Sequence, residues 1–311
     1  MNFHEFTTQV ISEMRRRFPG YDIQVQEVPK LQGESYTGMA IHPSGGDIAL
    51  TMDLEALFDR FRNDLYLGNP MKAIEREIKE AVAQMPQFDT EALTNYERMK
   101  EKLTLQLVPS ATNKNLLTDI PHRNIEGMAI ANPLDTGYNE RNSYGILVTN
   151  KMLNAYGISA AQLHDDALEA ASHSCPATLR NMNEVIHNMA GQTDPSPMWV
   201  ASIENGQNGA CVIQYPHFLD DAAETLGGSF YVLPSSIHEV LLLADDTSPS
   251  LSELENMVRT NNHAEVAPEE RLSDNVFHYD CESHIFENAR TFEARQSAME
   301  QYIVNAQLFA A

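Results

Sequence analysis

The sequence predicts an α+β protein: mainly antiparallel or mixed sheets, built from strand-pair-into-helix units and flanked by helices. Two observations carry this. Apolar runs come in pairs that lead directly into a short helix, around Gly38 to Phe61, Gly127 to Tyr156 and Trp199 to Leu226, and such units suit hairpins capped by helices. The regular strand-helix-strand alternation of a doubly wound parallel sheet is absent. Sequence identity among the three units is too low for a true repeat.

The elements follow in order. Phe3, Phe6, Val10 and Met14 recur at helical spacing, and Pro19-Gly20 stops that helix. Strands are predicted at Tyr21 to Val28, Tyr36 to His42 and Ile48 to Met52, with Ser44-Gly45-Gly46 as a turn. Asp53 is placed to cap a helix running to Phe61. A helix from Pro70 buries Met71, Ile74, Ile78, Val82 and Met85, and another spans Thr90 to Leu103. The middle of the chain reads as strands at Leu105 to Val108, Gly127 to Ala131 and Tyr144 to Thr149. Helices follow at Lys151 to Tyr156, Ala160 to Ala171 and Asn181 to Met189. The last third reads as strands Trp199 to Ile203 and Ala210 to Gln214, then a helix from Phe218 to Leu226. Strands Phe230 to Leu233 and Glu239 to Leu243 come next, split by Pro234-Ser235-Ser236. A helix over Ser250 to Asn261, a strand over Asn275 to Tyr279 and a helix from Phe292 to Phe309 complete the chain. These elements group into regions 1–104, 105–190 and 198–311, expected to form one compact assembly with a loop or weak boundary at 191–197.

Composition sets the class. The chain has 311 residues, 42% hydrophobic and 21% charged, ordinary values for a globular protein. It lacks any run of about 18 apolar residues, so no transmembrane helix is expected. The first residues have the wrong order and texture for a secretory signal. Three widely spaced cysteines, Cys175, Cys211 and Cys281, suit a reducing compartment, which points to the cytoplasm. Acidic side chains number 44 against 21 basic, a formal net charge of −23. That field repels nucleic-acid phosphates and anionic membranes, and it is compatible with a basic protein partner or with solubility alone.

Several stretches carry a resemblance: Gly209-Ala-Cys-Val-Ile-Gln-Tyr-Pro216, the run from Phe230 through Pro-Ser-Ser-Ile-His-Glu to Val240, Val266 to Val276, and Leu147 to Gly157. Together with the opening helix followed by strands, they resemble an uncharacterised family, a domain of unknown function from anaerobic gut bacteria. The Pro-Ser-Ser-Ile-His-Glu segment is the most specific element. The resemblance implies a fold class and a bacterial setting, and it brings no activity that could be carried over to any residue.

Candidate chemistry concentrates at Ser235, Ser236, His238 and Glu239, where a nucleophile, a base and an orienting carboxylate are neighbours. In an extended segment, however, Ser236 and His238 share a face and Glu239 does not, and no Gly-x-Ser-x-Gly elbow lifts the serine. The structural alternative is a hydroxyl-capped turn. A zinc-protease reading of His238-Glu239 fails because Leu242 stands where a second histidine is required. The tract His278, Asp280, Cys281, Glu282, His284, with His263 and Glu265 upstream, concentrates ligand types. Its spacing matches no finger, and one face of a solvent-facing strand accounts for it, so no metal is expected. Cys175 follows a helix C-terminus, which disfavours the thiolate, and Cys211 reads as core. The Gly-rich spacing of nucleotide-binding loops is missing, and no cofactor is expected. Arg15, Arg16 and Arg17 read as a solvated helix face.

Two functions stand from these readings. The first is a non-catalytic acidic binding or regulatory protein that engages a basic protein partner. The second is a hydrolase or metal-dependent enzyme using the Ser235–Glu239 segment with Asp274 and His278; it requires those side chains to converge on a cleft.

Overall fold

The computed structural model describes residues 1–28, 31, 35–43, 50–63, 65, 68–83, 94–139, 142–186, 196–246 and 249–310. The first helix, α1 (Phe3–Arg17), is opened by a capping box in which Asn2 and Glu5 exchange backbone and side-chain bonds. It buries Phe6, Val10, Ile11 and Met14 on one stripe. The chain then turns into β1 (Tyr21–Val28), β2 (Tyr36–Pro43) and β3 (Leu50–Asp53), an antiparallel sheet in that order. Asp53 caps α2 (Leu54–Arg62) through its carboxylate to the Ala56 N–H, as the sequence predicts. With α3 (Pro70–Ala83) these elements share one core, from Phe6 and Met14 to Ile23, Met39, Ile41, Leu57, Ile74 and Ile78. Phe3, Phe6, Phe58 and Phe61 interlock beside it at ring separations of 5.2 to 5.5 Å for the three closest pairs.

The expected solvated arginine face is only partly one. Arg15 donates to the Ile23 carbonyl at 2.8 Å. Arg17, with 18% of its side chain exposed, bridges Glu13 to Glu75 on α3. Arg16 and Arg17 together hold the Glu13 carboxyl down at about 2. The turn at Ser44-Gly45-Gly46 and the position of Met85 lie outside the described residues.

Gly38 sits where strand β2 is crowded from both sides. A Cβ there would lie 2.6 Å from Thr51 Cγ2 and 2.6 Å from Val28 Cγ2. Gly38→Ala should therefore cost about 1–2 kcal/mol in overpacking. The expected result is a downward shift in the circular-dichroism melt. An unchanged melt would show that the two β-branched side chains rotate away freely.

Along the rest of the chain come α4 (Tyr96–Met99), β4 (Gln106–Pro109), α5 (Lys114–Leu117), β5 (His122–Ile125), β6 (Met128–Ala131), β7 (Pro133–Asn139), β8 (Asn142–Leu147), α6 (Asn150–Tyr156) and α7 (Ala160–Ser174). They are followed by β9 (Ala177–Asn181), α8 (Met182–Val185), β10 (Met198–Ile203), α9 (Phe218–Leu226), β11 (Phe230–Pro234), β12 (Val240–Ala244), α10 (Leu251–Glu265), β13 (Phe277–Asp280), β14 (Ile285–Asn288) and α11 (Ala289–Ala310). A six-stranded antiparallel sheet has the order β14-β13-β11-β12-β10-β9, and a three-stranded one the order β4-β6-β5. The α+β class with antiparallel sheets is therefore the observed architecture. One face of the large sheet buries Leu233, Leu243 and Val276 against Leu251, Leu254 and Val258 of α10.

The chain gathers into two units: residues 1–96 with 136–144, and residues 97–135 with 145–311.

One local expectation is corrected and two are shortened. Residues Gly209–Gln214 form a 3-10 helix, not a strand. Asn208 enters it with a positive φ of 56°, and Gly209 to Ile213 are all buried. A short continuous apolar run is compatible with either element, because burial on every side erases the period. The third strand-pair-into-helix unit therefore does not exist, since β10 pairs with β9 and β12 instead. Of the helix expected over Asn181 to Met189, Met182–Val185 are helical as the short α8, capped by Asn181 at the end of β9, and 187–189 lie outside the described residues. Of the helix expected over Thr90 to Leu103, 90–93 lie outside the described residues, and the rest is α4 followed by a 3-10 turn at Lys100–Lys102.

Candidate functional site

The Ser235–Glu239 segment is the loop joining β11 to β12, whose register ends at Pro234 opposite Val240. Five residues reverse the chain, and three hydrogen bonds lie within the reversal. The Ser236 N–H donates to the Glu239 carbonyl at 3.2 Å. The Ser236 hydroxyl accepts the His238 N–H at 3.0 Å, while the Ser235 hydroxyl reaches Glu239 Oε1 at 3.5 Å. Ser236 is 8% exposed and Ile237 7%. Serine here plays the turn-stabilising role its short hydroxyl allows.

The loop is also clamped from outside. The Ile237 N–H donates to the Glu270 carbonyl at 2.8 Å, and the Ile237 carbonyl accepts from Ala210 N–H at 3.2 Å. The His238 carbonyl accepts the Ser202 hydroxyl at 2.8 Å. The His238 ring accepts the Asn208 N–H at Nδ1, 3.1 Å away. A backbone N–H can only donate, so Nδ1 carries the lone pair and Nε2 carries the hydrogen, directed at Glu270 Oε1 3.5 Å away. Gly209 makes this clamp possible: a Cβ there would lie 2.1 Å from Ser202 Oγ, 2.5 Å from the His238 carbonyl oxygen and 2.8 Å from Ile203 N.

The other two candidates point elsewhere. Asp274 ties the end of α10, accepting Asn262 Nδ2 at 3.0 Å and facing His263 Nε2 at 3.4 Å. His278 is fully buried on β13, with Nε2 3.0 Å from Asp245 Oδ2. Its ring stacks on Phe292 of α11 at 3.6 Å between centroids and meets Tyr231 edge-on at 5.2 Å. Burial pushes its pKa below the ordinary histidine value, against the opposing pull of Asp245, Asp280 and Glu287. Its Nδ1 has no hydrogen-bond partner among the described residues. His238, Asp274 and His278 thus face different neighbours: Glu270, Asn262 with His263, and Asp245. Ser236 meets the backbone of His238, not its ring.

The ligand-rich tract disperses as well. The expectation that His278, Asp280, Glu282 and His284 line one solvent-facing strand face is corrected, because β13 ends at Asp280 and a turn over 281–284 reverses the chain into β14. His278 faces inward. Asp280 pairs with Arg295 at 3.1 Å and accepts the Ser283 hydroxyl at 2.7 Å; burial opposes its charge, yet Ser283 and Arg295 hold it down at about 2. The Cys281 Sγ lies 3.3 Å from the Ser229 hydroxyl. Among the described residues no group of three or more His, Cys, Asp or Glu is placed to hold a metal ion. Cys211 is buried in the 3-10 helix, with its thiol pushed up to about 12 by burial, the behaviour of a core residue.

One cluster escaped sequence reasoning. Asp220, in the first turn of α9, accepts bonds from the Tyr279 hydroxyl and from His284 Nδ1, the latter at 2.7 Å. Tyr279 and then His284 hold the Asp220 carboxyl below its ordinary range. His284 and His217, which precedes α9, both stand in the left-handed backbone region with φ of 55° and 64°. Asp220 and His284 are 64 positions apart, so no local pattern announces the contact.

With this geometry, residues 3–281 match the Family of unknown function (DUF5688). The chain belongs to this family. The DUF5688 segment runs from α1 into the turn after β13 and contains the whole clamped loop at Ser235–Glu239, while α11 lies beyond it. No curated protein and no solved structure matches the chain.

Proposed function

We propose that this chain is a non-catalytic acidic binding protein, cytoplasmic and regulatory in role, that engages a basic protein partner through its larger unit. The observation that carries this reading is where the charge lies. The larger unit holds 28 acidic against 11 basic side chains, a net of −17, and the smaller one 16 against 10, a net of −6. Two of the larger unit's arginines, Arg290 and Arg295, are already paired with Glu255, Asp280 and Glu287. The clamped loop also borders a carboxylate-rich edge, because Ile237 bonds to Glu270 in a stretch that carries Glu265, Glu269, Glu270 and Asp274. Glu265, Glu269 and Asp274 are exposed. Such an edge steers a cationic surface and fixes its register. The hydrolytic reading draws less support, since its residues are bonded to separate neighbours. Three unpaired thiols suit the reducing cytoplasm.

The test is a titration with a lysine-rich peptide. Binding should weaken as salt is raised. Glu265→Lys with Glu269→Lys should reduce affinity about tenfold, whereas Glu224→Lys on α9 should change it little. Affinity indifferent to salt, or equal losses in both variants, would sink the proposal.

A further inference from the structure

A depression of about 450 Å³ opens on one face of β5, within the roughly 300–1,000 Å³ of small-ligand sites. His122 and Asn124, two positions apart on the strand, supply one wall. The chain from Ser110 to Thr118 supplies the other, and it is tied at both ends. The Ser110 N–H donates to the Gly127 carbonyl at 3.0 Å, and Asn150 Nδ2 donates to the Thr118 carbonyl at 3.0 Å. Between these ties Asn113, only 4% exposed, donates through Nδ2 to the Pro109 carbonyl at 2.8 Å. Walls held in this way cost a ligand little ordering.

The lining side chains select the ligand. The larger unit is strongly acidic, yet no carboxylate of the described residues lines this depression, and its one fixed charge is Lys114. Lys114 is exposed and forms no ion pair among the described residues. Glu126, in the neighbouring turn, instead accepts the Asn288 N–H at 3.1 Å. The Ser110 hydroxyl donates to Asn124 Oδ1 at 3.3 Å, which leaves the Asn124 amide N–H groups for a ligand. His122 Nδ1 lies 3.1 Å from the Ile120 carbonyl. A carbonyl only accepts, so Nδ1 carries the hydrogen and Nε2 of the neutral ring keeps its lone pair. Leu117 lines the same space with an apolar side chain. The site thus offers an ammonium and an amide to a carboxylate, an apolar surface to a hydrocarbon body, and an acceptor to a hydroxyl. Phosphate is served poorly, because a single lysine leaves its second charge unmatched. We propose that this depression binds a small hydroxycarboxylate with an apolar body. The carboxylate rests on Lys114 and Asn124, the body against Leu117, and the hydroxyl donates to His122 Nε2. This goes beyond the acidic-surface reading and uses none of its residues, so either can fail without the other.

Isothermal titration of the full chain with 4-hydroxyphenylacetate tests it. The expected result is one saturable site with Kd below about 1 mM. The neutral 4-hydroxyphenylacetamide should bind the parent about tenfold more weakly, and the acid should bind Lys114→Gln about tenfold more weakly. Phenylacetate, which lacks the hydroxyl, should lose about fivefold. Lys151→Gln, at an exposed lysine that does not line the depression, should bind as the parent does. Lys114→Gln should keep the parent's urea midpoint, since an exposed lysine without an ion pair adds little to stability. No saturable binding, equal affinity for the acid and either analogue, equal losses in the two lysine variants, or inorganic phosphate binding as tightly as the acid would overturn the proposal.

Discussion

Gly209→Ala should unfold the larger unit at markedly lower denaturant than the parent chain. The added methyl has nowhere to go. At 2.1 Å from Ser202 Oγ, 2.5 Å from the His238 carbonyl oxygen and 2.8 Å from Ile203 N, two of its three obstacles are backbone atoms. Moving either one means moving the end of β10 or the clamped loop. The same few ångströms hold the Ser202–His238 and Asn208–His238 bonds and the backbone bond from Ala210 to Ile237, so relief at one contact breaks another. Overpacking of this kind costs about 3 kcal/mol. Trp199 is the only tryptophan and lies on β10, so its fluorescence in a urea titration reports this unit directly. Gly228→Ala is the control, because a Cβ there meets nothing within 4 Å and should leave the midpoint within about 0.5 kcal/mol of the parent. Equal midpoints for the two variants would show that the clamp is loose.

That clamp also shows what was and was not legible in the sequence. Elements with a cap or a clean period were readable: α1 from its apolar stripe, α2 from Asp53, and β10, β11 and β12 from apolar runs bounded by turns. Elements that are short and polar were not. His122–Ile125, Ala177–Asn181 and Ile285–Asn288 are strands because a neighbouring strand pairs with them, and nothing in four or five mixed residues announces it. The run over Gly209–Gln214 was misread because apolar residues buried all round carry no period. The Pro-Ser-Ser-Ile-His-Glu segment stood out as a place of consequence, yet its meaning depends on Asn208, 30 positions away, and on Glu270, 32 positions on. Proximity of side-chain types along the chain suggested chemistry; the bonds those groups make are to the backbone of the turn and to partners far along the chain.

His278 should make the larger unit lose stability as the pH falls. Its ring is fully buried, stacked on Phe292, bonded to Asp245 through Nε2, and without a partner at Nδ1 among the described residues. A proton added at Nδ1 would be a buried charge with no acceptor, which is why burial lowers its pKa from 6.5 despite Asp245, Asp280 and Glu287 nearby. The unfolded chain accepts that proton as pH drops through 6.5, and the folded chain does so only at lower pH. The folded state then binds fewer protons in that window, so its stability is complete above 6.5 and is lost progressively below it. The urea midpoint followed by Trp199 fluorescence should therefore hold above pH about 7 and decline from there to pH about 5. His278→Phe keeps a flat ring against Phe292 and removes the titrating nitrogen. It should flatten that decline while changing stability at the alkaline end by less than about 1.5 kcal/mol, since Asp245 is partly exposed and can rehydrate. His278→Ala should instead cost about 2–5 kcal/mol at every pH by opening a cavity under α11. A decline equally steep in His278→Phe would assign the acid sensitivity to other groups, and the buried ring would then be a packing element alone.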